Sequence, residues 1–202
     1  MNYFEVFSLP SKLTIDTAAL EKQFYVLSRK LHPDRFASKP VAEQEVALTQ
    51  SSQLNDAYRT LKDPILRTQY LLKLEGVELE EQSKAATDSA RATGTEKKQV
   101  VPPELLEEVF ELNMQLQEMR AAKQMGEEEP ELRRDLMTAK DLFDAKMVET
   151  QAELEGLWIR WDAAVDSGDA TGKATTRDSM VALLNKRSYL RNLVRDVNEA
   201  LE

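Results

Sequence analysis

Apolar residues recur along this chain at helical spacing. Leu20, Phe24, Leu27 and Leu31 follow at intervals of four, three and four, which builds one apolar stripe on a helix. Lys22, Val26, Arg29 and Lys30 fall on the other side. Asp16 can cap the start by accepting backbone N–H bonds, and Pro33 ends the run because it pushes its predecessor out of the helical region. The pattern predicts a second helix over about Val41 to Leu61, with Ala47, Ser51, Leu54, Ala57, Tyr58 and Leu61 inward. Asp63-Pro64 is a start signal for a third, a cap followed by proline at the first helical position. That helix carries Ile65, Leu66, Tyr70, Leu71, Leu72 and Leu74 and ends at Gly76. A short helix around Tyr3 to Phe7 precedes all three.

The stretch EEQSKAATDSARATGTEKKQVV, residues 80–101, has almost nothing to bury and reads as a linker. Pro102-Pro103 then opens a helix that reaches about Met125. Its apolar residues, among them Leu105, Leu106, Val109, Phe110, Leu112, Met114, Leu116 and Met119, are more than one stripe can use. Part of this helix is therefore expected to face a partner. Gly126 to Pro130 breaks it. A long helix is predicted from about Leu132 to Val165, a loop over Ser167 to Thr176 with two glycines, and a last helix from Arg177 to Leu201. The expected architecture is all-α: an N-terminal helical domain over 1–76, a linker over 77–102, and a C-terminal three-helix bundle over 103–202.

Composition narrows the chemistry. The 202 residues include no cysteine and one histidine, which excludes disulfides, thiolate metal sites, a cysteine nucleophile and a multi-histidine metal centre. No apolar run reaches membrane-spanning length and the start lacks the features of a signal peptide, so a protein of a reducing, bacterial cytoplasm is expected. The net charge of -9 argues against nucleic-acid binding. The charge is uneven, however. Residues 1–76 carry ten Lys/Arg against nine Asp/Glu, and 77–202 carry seventeen against twenty-seven, so +1 and -10. Two units with different partners fit that split. Trp158 and Trp161, three apart, read as core, and Glu127-Glu128-Glu129 lacks the oxygen spacing and turn glycine of a calcium loop.

The candidate chemistry sits in His32-Pro33-Asp34, between the basic-faced first helix and a second helix that ends Leu54-Asn55-Asp56-Ala57-Tyr58-Arg59-Thr60-Leu61-Lys62-Asp63-Pro64. Together these resemble a J domain, the module that activates seventy-kilodalton heat-shock chaperones. Asn2-Tyr3-Phe4 with Phe7 and Leu9-Pro10, and His32-Pro33-Asp34-Arg35-Phe36, resemble the HscB family in particular. No Gly/Phe-rich region and no zinc-finger cysteines follow, as they would in a general-purpose J protein; an acidic helical unit does.

The resemblance implies a co-chaperone and no enzyme of its own. Asp34 would pair with a chaperone arginine, Pro33 would fix the loop through its locked φ, and His32 would supply packing and a hydrogen bond. Lys22, Arg29 and Lys30 would steer docking to an acidic face of an HscA-type chaperone, making binding salt-sensitive. The family's bundle presents an apolar and acidic patch to the iron–sulfur cluster scaffold protein. Aligning Glu111 to Leu116 on the family's ELREEL segment makes Leu105, Leu106, Phe110, Glu111 and Met114 patch candidates, and Lys186 to Leu190 adds Tyr189. Glu107 departs by replacing an apolar residue, and Asn113 and Met114 replace charged ones. No cofactor or metal is expected, and without thiolates this chain holds no cluster itself. Two rival readings stay open: a J protein with another client, and a helical adaptor that serves no chaperone.

Overall fold

The computed structural model describes residues 2–77 and 101–202, so most of the expected linker lies outside the described residues. The helices are α1 (Tyr3–Val6), α2 (Thr17–Leu31), α3 (Val41–Lys62), α4 (Pro64–Leu74), α5 (Leu106–Met125), α6 (Pro130–Ser167) and α7 (Ala170–Leu201). Short 3-10 turns at Pro33–Phe36 and Pro103–Leu105 complete them, and no strand occurs among the described residues. Packing divides the chain into two compact units, one of Met1–Leu79 with Trp158–Arg177, the other of Glu80–Leu157 with Asp178–Glu202. The end of α6 and the start of α7, read from the sequence as bundle, thus pack with the N-terminal helices.

In the first unit, local signals start the helices as expected. Asn2 and Glu5 form a reciprocal capping box on α1, Asp16 accepts from Ala18 and Ala19 at the start of α2, and Asp63 accepts from the Leu66 N–H at 2.8 Å. Each such cap contributes about 1 kcal/mol. Phe24, midway along α2, stacks on Tyr58 with centroids 4.1 Å apart, and Glu21 in the first half of α2 pairs with Lys62, the last residue of α3, at 3.4 Å. The two helices therefore run antiparallel, with residues 32–40 connecting their other ends. Phe4, Phe7, Leu13, Leu20, Leu54, Leu61, Leu71 and Leu72 are fully buried, and each contributes about 1.5–3 kcal/mol. Of the apolar residues on α4, Leu66 and Leu74 are exposed. The inward positions of α4 are taken by Arg67, Thr68, Leu71 and Leu72.

In the second unit, Leu105, Val109, Leu112, Leu116 and Met119 pack against Leu132, Leu136 and Phe143 of α6 and Leu190, Leu193 and Val197 of α7. The Arg133 guanidinium donates to the Leu201 carbonyl at 2.9 Å, so α6 and α7 run antiparallel. Gly126 ends α5 at φ +72, and the Glu127 N–H returns to the Ala122 carbonyl at 3.0 Å.

The loop expected over Ser167 to Thr176 is only Gly168 and Asp169. Asp169 accepts from the Gly172 N–H at 2.9 Å and so caps α7, absorbing the Thr-rich stretch into helix. A Cβ on Gly172 would collide with that Asp169 carboxylate, so the second glycine makes room for the cap.

Candidate functional site

Helices α2 and α3 hold residues 32–40 at one end of their hairpin. His32 closes α2 in an extended conformation and caps the 3-10 turn that follows, its Nδ1 accepting from the Asp34 N–H at 3.3 Å. Pro33 occupies the first position of the turn, where its missing N–H costs nothing. The Arg35 N–H returns to the His32 carbonyl at 3.0 Å. Gln44 of α3 donates to the Lys39 carbonyl at 2.8 Å and ties the far side of the loop to its stem.

The hook this makes is structured and presented. His32, Pro33 and Asp34 are all exposed, the Asp34 side chain at 88%. Lys22, Arg29 and Lys30 are exposed too. Tyr25 and Val26, at 55% and 54% exposure, lie between Lys22 and Arg29 on one helical face. The sequence reading put Val26 outward but overlooked Tyr25; its place at i+3 from Lys22 and i−4 from Arg29 was the available signal.

The stem is braced at its opposite end. The Tyr58 hydroxyl donates to Glu21 at 3.0 Å and accepts from the Lys62 ammonium at 3.0 Å. That phenolic oxygen first, and the Glu21 charge second, hold the Lys62 ammonium above its ordinary value.

Residues 2–70 match the family model described as the DnaJ domain. The chain is similar to the solved structure of the chaperone HscB from Vibrio cholerae, with 26% identity and a TM-score of 0.53, covering 96% of this chain and 97% of that one. The chain carries a J domain and is similar to HscB co-chaperones over nearly its whole length. The human co-chaperone protein HscB shares the fold, at 23% identity and a TM-score of 0.61, over 98% of this chain and 81% of that one. The hook at 32–34 lies inside the matched J-domain region and is exposed.

The other candidate surface lies on α5. Leu106, Phe110 and Met114, at 56%, 66% and 52% exposure, form an i, i+4, i+8 row on the face turned away from the core. Glu107, Glu111 and Glu118 are exposed along one edge of that row. Glu118 was missed in the sequence, though its spacing of seven from Glu111 marks the same edge.

Leu105 must be struck from the patch. It is fully buried in the second unit's core, where it continues the inward stripe of Val109, Leu112, Leu116 and Met119 at spacings of four, three, four and three. Tyr189 is half-buried against that core. Burial first, and the nearby Asp196 charge second, push its hydroxyl above the ordinary value. Lys186, one turn before it, reaches Glu104 at 3.4 Å, so the Tyr189 stretch of α7 lies beside the start of α5.

Lys146 and Lys186 also sort the carboxylates of α5. Lys146 pairs with Glu108 at 3.1 Å, while Lys186 pairs with Glu104. Glu107 and Glu111 face solvent and form no such pair among the described residues.

Proposed function

We propose that this chain stimulates ATP hydrolysis by an HscA-type seventy-kilodalton heat-shock chaperone in the cytoplasm, and that it delivers the iron–sulfur cluster scaffold protein to that chaperone. The observation that carries the chaperone half is the exposed hook of His32, Pro33 and Asp34 at the end of a basic helix. None of its groups performs chemistry on a substrate. Asp34 offers a carboxylate to a chaperone guanidinium, and the locked φ of Pro33 means little ordering entropy is lost on docking. Binding acts by favouring one chaperone conformation over another, so the ATPase remains the partner's. Tyr25 and Val26 supply apolar contact between the steering cations Lys22, Arg29 and Lys30.

The scaffold half is supported by the exposed row of Leu106, Phe110 and Met114 with Glu107 and Glu111 beside it, and by Tyr189 near its start. Such a face suits a partner with an apolar patch bordered by basic side chains. The chain would thereby bring cluster-bearing scaffold and chaperone together and promote cluster transfer to acceptor proteins.

Steady-state ATPase assays test the first half. Asp34→Asn, nearly isosteric and exposed, is expected to lose stimulation while the fold is kept. Stimulation equal to wild type would defeat the reading. Calorimetric titration with the scaffold tests the second half. Absence of binding, or binding unchanged by Leu106→Ala with Phe110→Ala, would assign the surface to a different client.

A further inference from the structure

The segment that enters α2 is held from far away in sequence. The Leu13 N–H donates to one oxygen of the Asp162 carboxylate at 2.8 Å, and the Thr14 N–H donates to the other at 2.9 Å. Leu13 is fully buried, so its donor needs a partner inside the protein. One helical turn further along α6, Asp166 pairs with the Lys12 ammonium at 2.6 Å. Two carboxylates four residues apart on one helix thus grip three consecutive residues, 12 to 14. The same unit adds further ties. Arg67 lies over the Trp158 ring, and Lys173 lies over Trp161 while pairing with Glu75 at 2.8 Å.

We propose that Asp162 is a positioning residue for co-chaperone activity: it fixes the entry to α2, and through α2 the placement of the chaperone-facing side chains and the hook. This rests on the docking role assigned above to α2. Thr14 lies two residues before the capping Asp16, so the grip sets the line along which α2 starts. A tilt of about 10° at that start displaces the far end of a 15-residue helix by about 4 Å. That is enough to misplace a bidentate carboxylate–guanidinium contact. The matched J-domain region ends at residue 70, so the anchoring residue lies outside the module it positions.

Full-length Asp162→Ala and Asp162→Asn, with Asp34→Asn as control, decide the matter. Amide exchange at Leu13 and Thr14 is expected to speed up by about tenfold or more in Asp162→Ala, with Leu54 and Leu61 of α3 unchanged. The co-chaperone concentration for half-maximal ATPase stimulation should rise about fivefold while the maximal rate stays near wild type, since residues 32–34 are untouched. Asp162→Asn keeps one acceptor oxygen and should fall between, and it serves if the alanine variant folds poorly. Unchanged exchange at residues 13 and 14 would overturn the proposal. So would faster exchange with an unaltered half-maximal concentration, which makes the grip purely architectural. If Asp34→Asn stimulates like wild type, the docking role of α2 falls, and the positioning role with it.

Discussion

Arg67 shows how a single side chain can serve a core. It is buried, its guanidinium donates to the Leu61 carbonyl at 2.6 Å, and burial first depresses its pKa while Asp63 and Asp162 oppose that. Arg67→Ala removes a buried donor and leaves a void, so a loss of about 2–4 kcal/mol in urea denaturation is expected. Gly126 makes a contrasting case, with open space around it but a left-handed backbone at φ +72. Gly126→Ala should cost about 1 kcal/mol by the same measurement, purely from strain. At this scale the loop after α2 was legible, because Pro33 and the helix end before it are local signals, whereas the cap made by His32 came only with the structure. Arg67 in the core and the distant grip of Asp162 were not, since no local pattern says which charged side chain will meet a partner far along the chain.

Among elements, α5 divides its apolar residues between two tasks. Val109, Leu112, Leu116 and Met119 bury against the core, while Leu106, Phe110 and Met114 do not. The surplus of apolar residues announced two faces in the sequence, and the spacing of four, three, four and three from Leu105 through Val109, Leu112 and Leu116 to Met119 already put Leu105 on the buried one; matching the segment to the family's patch drew it to the other. The two neighbours should therefore respond oppositely. Leu105→Ala is expected to destabilise by about 2–5 kcal/mol in denaturant melts. Leu106→Ala with Phe110→Ala should leave the melting temperature within about 2 °C of wild type yet weaken scaffold binding by about thirtyfold or more in calorimetry. The α6–α7 connection was misjudged for a related reason: glycine and threonine are poor helix formers, and the Asp169 cap and tertiary packing overrode that preference.

For the molecule as a whole, acid is expected to loosen the second unit through Glu104 and Glu108. A hydrogen bond from its own backbone N–H first, and the Lys186 pairing in support, hold the Glu104 carboxyl below its ordinary 4.5. Glu108 is lowered in the same way, with Lys146 in support. Both charged forms are favoured by folding, so their contribution is complete above the ordinary glutamate value and is lost as pH falls through the lower folded values. Thermal melts from pH 6 down to 3 should show this fall. Glu104→Gln with Glu108→Gln should flatten part of it.

One unit of this protein is assembled from two stretches of chain, residues 1–79 and 158–177. On the ribosome the first stretch emerges well before the second exists. Until residue 162 appears, the amides of Leu13 and Thr14 lack their acceptor, and Arg67 lacks the indole of Trp158. All of α5 has been synthesised by then. A nascent chain therefore completes its J-domain unit only after α5 has already been translated.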